Sequence, residues 1–251
     1  MQQYSVSEYS VPHRGRIVTG RLFLPESQNR LPLVIFSHGY NGSQTDFANA
    51  AKLLAGHEIA AFCLDFCGGS VHAQRSLKTT DMTLFTEAED LEAALDAFHA
   101  HKAIDADRIF LFGGSQGGMV TAIVAARRAR DVKGVVLLYP AFCIADNWRE
   151  KFPKEENIPD EAELWGMKLG RAFFESIRTL DPFSFIGDYS RDVLILHGKE
   201  DDVVPLSYSE RAQKIYPHAE LIIFPQEGHG FSPEGDRTVA RLLLGFVQAR
   251  I

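Results

Sequence analysis

Cysteine is scarce in this 251-residue chain, with Cys63, Cys67 and Cys143 the only three. An odd and sparse set builds no disulfide framework. Cys63 and Cys67 stand close enough in the chain to suggest a metal pair, but no second Cys/His pair has zinc-site spacing. No apolar run reaches the roughly 18 residues of a membrane span. Residues Met1 to Ser10 are polar and lack the apolar stretch of a signal peptide. These absences predict a cytoplasmic protein with reduced thiols and no membrane insertion. Basic charge is also in the minority, 26 Lys+Arg against 33 Asp+Glu, for a net charge of −7. Binding a polyanion draws on a basic stripe. The densest basic cluster, Arg127, Arg128 and Arg130, closes an apparent helix. It reads as solvated charge that complements the helix dipole, so nucleic acid is not an expected partner. There is no internal repeat and no low-complexity segment.

What is present is an ordinary globular composition, 45% hydrophobic and 24% charged, in a chain long enough to bury a core without disulfide or metal. Short apolar runs alternate with longer amphipathic stretches. Arg16 to Leu24 alternates in period two and predicts an antiparallel edge strand. Leu33–Phe36, Ile59–Asp65, Ile109–Phe112, Val135–Tyr139, Val193–Leu196 and Leu221–Phe224 read as further strands. Helical spacing marks Asp46–Leu54, Thr86–Ala100, Met119–Ala129, Ser207–Ile215 and Arg237–Ala249. In Thr86–Ala100 the acids come early, as suits a helix start. Strands of four to six apolar residues separated by helices imply βαβ units, hence an α/β fold with a mostly parallel central sheet flanked by helices.

One segment breaks the rhythm. Residues 142–181 carry charges, prolines and the aromatics Trp148, Phe152, Trp165, Phe173 and Phe174. They follow a strand at the end of the sheet where ligands bind in such folds. The expected organisation is a core formed by residues 1–141 and 182–251, with 142–181 inserted as a small cap.

Gly113-Gly114-Ser115-Gln116-Gly117 matches G-x-S-x-G between a strand and a helix. A nucleophile on a sharp strand-to-helix turn sits in strained backbone, and side chains two positions to either side would collide, so glycines flank it. The turn lifts the serine oxygen above the sheet, beside the amides of the helix N-terminus. Serine needs a base, and the base needs an orienting carboxylate, in the chain order Ser, acid, His. Three histidines follow Ser115. His218 reads as a surface turn and His197 ends a strand, whereas His229 lies in a glycine-bounded loop after the last strand and is the expected base. Asp201 and Asp202 both follow a strand and precede His229; periodicity does not choose between them. Two amides should meet the developing oxyanion, those of Gln116 and of Tyr40 in Ser37-His38-Gly39-Tyr40. His38 is expected to pack or hydrogen-bond within that loop.

The set His38-Gly39, G-x-S-x-G at Ser115, His197-Gly198 through Asp201 to Val204-Pro205, and Gly228-His229-Gly230-Phe231 resembles the α/β-hydrolase superfamily over nearly the whole chain, from about Gly15 to Ala249. The HGxxDxxVP pattern makes Asp201 the acid. Asp65-Phe66-Cys67-Gly68-Gly69-Ser70, followed by Thr79-Thr80-Asp81-Met82-Thr83, is similar to the bacterial cinnamoyl and feruloyl esterases. That resemblance implies a serine ester hydrolase acting on ferulate, caffeate or p-coumarate esters, with no metal or organic cofactor. It also implies a pocket shaped by the insertion, with Asp146 placed to grip a ring hydroxyl. Tyr40 stands where that family often has phenylalanine. The aromatics Trp148, Trp165, Phe173 and Phe174 independently suit a flat apolar acyl group. The expected partner is a small-molecule ester, and a homodimer is the default assembly. Other readings are the same machinery acting on short-chain acyl esters, monoacylglycerols, thioesters or small peptides, or a non-catalytic binding module on the hydrolase fold.

Overall fold

A computed structural model describes residues 3–73 and 76–251. The apolar runs form one eight-stranded sheet in the order β1-β2-β4-β3-β5-β6-β9-β10. Its strands are β1 (Tyr4–His13), β2 (Arg16–Pro25), β3 (Leu31–Ser37), β4 (Ala60–Asp65), β5 (Ile104–Gly114), β6 (Gly134–Leu138), β9 (Val193–Gly198) and β10 (Ala219–Phe224). Pairing is parallel from β4 through β3, β5, β6 and β9 to β10. It is antiparallel at β1/β2 and β2/β4. The central strands β3, β4, β6 and β9 are buried at every position, which is why they read as continuous apolar runs rather than as alternation.

The expected edge strand at Arg16–Leu24 is not an edge. β1 pairs with it along its full length, from Tyr4 opposite Pro25 to His13 opposite Arg16. β1 is largely exposed, so it carries little of the apolar signal that marked the other strands.

Helices α1 (Ala48–Ala55) and α7 (Pro233–Gln248) pack together against one face of the sheet. Helices α2 (Leu84–His99), α3 (Gln116–Arg127) and α6 (Leu206–Ile215) cover the other. The start of α2 is fixed by a capping box between Thr83 and Thr86, whose side chains bond each other's backbone N–H groups. Two of its early acids, Glu87 and Asp90, are buried and not exposed as a solvated helix start would have them.

Residues 142–181 hold α4 (Ile144–Lys151), the antiparallel hairpin β7 (Glu161–Leu164) and β8 (Met167–Gly170), and α5 (Arg171–Ile177). The chain turns between β7 and β8 at Trp165-Gly166, both with positive φ (45° and 76°). The insertion is held by its own aromatic cluster. Trp148 stacks on Phe152 at 5.8 Å and meets the edges of Phe173 and Phe174 at 6.4 and 4.7 Å.

β3 has β4 on one side and β5 on the other. The loops leaving β3 and β5 therefore part to opposite sides of the sheet at their carboxyl ends. Such a switch point is where open α/β sheets hold ligands.

Candidate active site

Ser115 stands at this switch point, between the end of β5 and the first residue of α3. Its backbone has φ 52° and ψ −122°, a conformation that costs on the order of 1–3 kcal/mol for a side-chain-bearing residue. The surroundings hold it there. Its N–H donates to the Leu138 carbonyl at 2.9 Å, and its own carbonyl accepts from the N–H groups of Gly118, Met119 and Ala141. The flanking glycines are required by space. A Cβ on Gly113 would come 2.3 Å from the Gly117 carbonyl oxygen, and one on Gly117 would come 2.3 Å from that of His38.

His229 reaches this serine from the loop after β10, with Nε2 3.0 Å from Ser115 Oγ. Its Nδ1 is 2.9 Å from Asp201 Oδ2. A carboxylate only accepts, so Nδ1 carries the proton and Nε2 is left to accept from the serine hydroxyl. The imidazole lies against the Tyr139 ring, whose centroid is 4.5 Å away, and Phe231 packs on the other part of that ring at 5.4 Å. Tyr139 thus limits where the imidazole can swing. Nothing in the sequence reading singled it out.

Of the two acids that periodicity does not separate, Asp201, the one the HGxxDxxVP pattern selects, faces His229 and its side chain is 1% exposed, whereas Asp202 is exposed. Oδ1 of Asp201 accepts from the backbone N–H groups of Val203 and Val204 at 2.9 and 2.8 Å. His197 gives the carboxylate a further neighbour. Its Nδ1 accepts from Ser209 Oγ at 2.7 Å, so its Nε2–H points between the Val204 carbonyl at 3.0 Å and Asp201 Oδ2 at 3.4 Å. Burial alone would raise the Asp201 carboxyl. The hydrogen bonds from His197, His229 and Val204 outweigh it and hold the group well below the usual carboxylate range. His218 is exposed and takes no part.

The N–H groups of Gln116 and Tyr40 have no acceptor among the described residues. Gln116 is the first residue of α3, so its amide belongs to the unpaired helix N-terminus. Gly39 brings the second loop close, since a Cβ there would stand 3.2 Å from the Ser115 Cβ. His38 is fully buried beneath. Its Nε2 accepts from the Phe66 N–H at 3.1 Å and its Nδ1–H donates to the Gly39 carbonyl at 2.7 Å. Burial lowers its pKa, so it is a neutral spacer that shapes the loop.

An apolar cavity of about 230 Å³ opens over Ser115. Its walls include Tyr40, Ile144, Trp148, Leu164, Trp165 and Phe173, and Lys151 is the one charged residue among those described that line it. Trp165 at the hairpin tip is 66% exposed, and so forms a rim and not a floor. Two of the residues proposed for substrate contact lie elsewhere. Phe174 packs behind Trp148, against Phe152. Asp146 pairs with Arg149 and accepts from the Tyr208 hydroxyl at 2.7 Å, which turns it towards α6 and away from the cavity lining. Neither is among the residues that line that cavity. Cys63, Cys67 and Cys143 are buried and free, and no cluster of His, Cys, Asp or Glu among the described residues could hold a metal. No helix among the described residues is long and apolar enough to cross a membrane.

A mostly parallel sheet with helices on both faces, a strained serine at the end of its central strand, and histidine and acid on later loops define the α/β-hydrolase fold. Solved structures agree. Est1E from Butyrivibrio proteoclasticus with ferulic acid bound superposes with a TM-score of 0.88, covering 96% of this chain and 98% of that one at 26% identity. The α/β hydrolase GrgF from Penicillium sp. sh18 shares the fold with a TM-score of 0.81 over 98% of this chain and 99% of its own, at 17% identity. The sequence pattern of the prolyl oligopeptidase family matches residues 43–251, and the chain belongs to that family. The acylamino-acid-releasing enzyme of Rattus norvegicus is 21% identical over 83% of this chain, which spans 30% of that enzyme's length. Esterase EstD of Thermotoga maritima is 25% identical over 92% of this chain and 63% of its own.

Proposed function

We propose that the protein is a serine carboxylic-ester hydrolase that cleaves esters of hydroxycinnamic acids such as ferulate, caffeate or p-coumarate. The observation that carries this reading is the unbroken hydrogen-bond chain from Asp201 through His229 to Ser115 at the opening of an apolar, aromatic-walled cavity. His229 takes the Ser115 proton as the oxygen attacks the ester carbonyl. Asp201 holds the imidazole in the required tautomer and stabilises its charged form. The Gln116 and Tyr40 amides receive the oxyanion. The tetrahedral intermediate then collapses; the acyl–alcohol bond breaks, and His229 gives its proton to the departing alcohol. Water repeats the sequence on the acyl-serine and releases the acid.

The acyl preference rests on the cap. Trp148 and Trp165 put aromatic surface on the cavity wall for a planar group, and the buried Phe173 backs it. The similar Est1E has been solved with ferulic acid bound. A second reading, hydrolysis of acylated amino acids or small peptides, is favoured by membership of the prolyl oligopeptidase family and by the acylamino-acid-releasing relatives. One panel separates the two: methyl ferulate and chlorogenate beside p-nitrophenyl esters of aliphatic acids and N-acetyl-aminoacyl anilides. Higher kcat/KM on the hydroxycinnamates is the expected result. A preference for the anilides or for aliphatic chains overturns the acyl assignment.

A further inference from the structure

Glu87 lies in the first turn of α2, where an acid ordinarily faces water and favours the helix start. Here it is 1% exposed, and no cation pairs with it among the described residues. Its partner is the side chain of Gln116, whose Nε2 donates to Glu87 Oε2 at 2.9 Å. Gln116 is also the residue whose backbone amide follows the nucleophile. The other carboxyl oxygen is so close to the chain after β4 that a Cβ on Gly69 would come within 2.8 Å of it. Oε1 of Gln116 is buried without a partner among the described residues, so the Glu87–Gln116 pair holds an acceptor that no donor meets.

Resting on the serine-hydrolase reading of the site, we propose that Glu87 is a positioning residue that acts as a neutral carboxylic acid behind the oxyanion hole, and that its ionisation switches the hole off. Neutral, it fixes the Gln116 side chain and leaves the field of the two amides unopposed. Ionised, it sets a negative charge behind donors that must stabilise another. Burial pushes the carboxyl up to about 8, against the hydrogen bond from Gln116, and the Asp90 charge adds to the rise.

Of the neighbouring groups, burial also raises Asp90, to about 6, which leaves Glu87 as the carboxyl raised into the alkaline range. Arg14 and Arg16, from β1–β2, are taken by Glu89 and Asp90. From α3, Arg127 pairs with Glu92, and from α5, Arg171 pairs with Glu175. The loop after β3 brings neutral His38 and Tyr40, whose phenol burial and the Glu87 charge push far above its ordinary value.

The test is the pH dependence of p-nitrophenyl acetate hydrolysis from pH 6 to 10 in the wild type and Glu87→Gln, a substrate that does not depend on which acyl group the cap prefers. The wild-type kcat should fall by about tenfold per pH unit beyond about pH 8, with KM little changed. In Glu87→Gln the alkaline fall should vanish, whatever the height of its plateau. A wild-type profile flat to pH 10, or the same fall in Glu87→Gln, overturns the proposal. If the variant does not fold, carboxyl-13C NMR of the wild type decides. Titration of Glu87 near pH 8 supports the proposal, and titration in the ordinary carboxylate range removes it. A fluorophosphonate label on Ser115 at pH 7 distinguishes the two failures. Labelling with no alkaline dependence sinks only the Glu87 role, while no labelling sinks the serine-hydrolase reading as well.

Discussion

The hydroxyl of Tyr40 lies 2.9 Å from the carbonyl oxygen of Leu164 and 3.2 Å from that of Met167, so the residue proposed to offer an amide to the oxyanion also ties down the turn of the β7–β8 hairpin. Asn41 adds a contact from its Nδ2 to the Trp165 carbonyl at 3.3 Å. A phenylalanine keeps the amide and the ring and loses the tie. Tyr40→Phe should therefore raise KM for bulky aromatic esters by about fivefold, the equivalent of one net hydrogen bond, and alter kcat on p-nitrophenyl acetate much less. Equal losses on both substrates would show that the hydroxyl serves the oxyanion loop and not the cap.

Asp201 accepts from two backbone amides and faces two histidines. Asp201→Asn keeps the shape but invites the wrong imidazole tautomer, and kcat should drop by about 10⁴-fold. The same variant should blunt acid sensitivity. The folded-state pKa is depressed, so the stability contributed by Asp201 is present above the unfolded value of 3.8 and is lost as pH falls through the folded one. Urea midpoints between pH 2 and 7 check this; an unchanged acid arm in Asp201→Asn contradicts it.

Glu87 gives the opposite sign. Its folded pKa is raised, so its contribution is intact below the unfolded value of 4.5 and is lost as pH rises through about 8. The melting temperature of Glu87→Gln relative to wild type should climb between pH 5 and pH 9. Parallel curves would mean that the carboxyl is no harder to ionise in the folded state.

Phe173 and Phe174 are sequence neighbours with different work to do. Phe173 borders the cavity from a buried position, and Phe174 packs against Trp148 and Phe152 behind it. Phe173→Leu should shift the ratio of kcat/KM between methyl ferulate and p-nitrophenyl butyrate. Phe174→Leu should cost about 1 kcal/mol in stability and leave that ratio alone.

Much of the site was legible in the sequence because its constraints are steric. The glycines at 113 and 117 are there because neighbouring carbonyls leave no room for a side chain. Asp201 and the amides of Gln116 and Tyr40 follow strands that are buried on both faces and hard to miss, and His229 is marked by its flanking glycines after the edge strand β10. β1 was missed because an exposed antiparallel strand needs no apolar pattern. The β7–β8 hairpin was missed because each of its strands is only four residues long and its turn is Trp165-Gly166. Asp146 and Phe174 were misplaced for a related reason: helix α4 and helix α5 each present two faces, and composition does not say which meets the cavity. Glu87 looked like any acid that opens a helix; only coordinates reveal that it is buried.

The most direct test is intact-mass analysis after reaction with a fluorophosphonate at pH 7, with peptide mapping of the adduct. One adduct per chain on Ser115, absent in Ser115→Ala and slowed by orders of magnitude in His229→Ala, is the predicted result. No adduct on the folded wild type, or one that persists in Ser115→Ala, would contradict the assignment of Ser115 as nucleophile and His229 as its base.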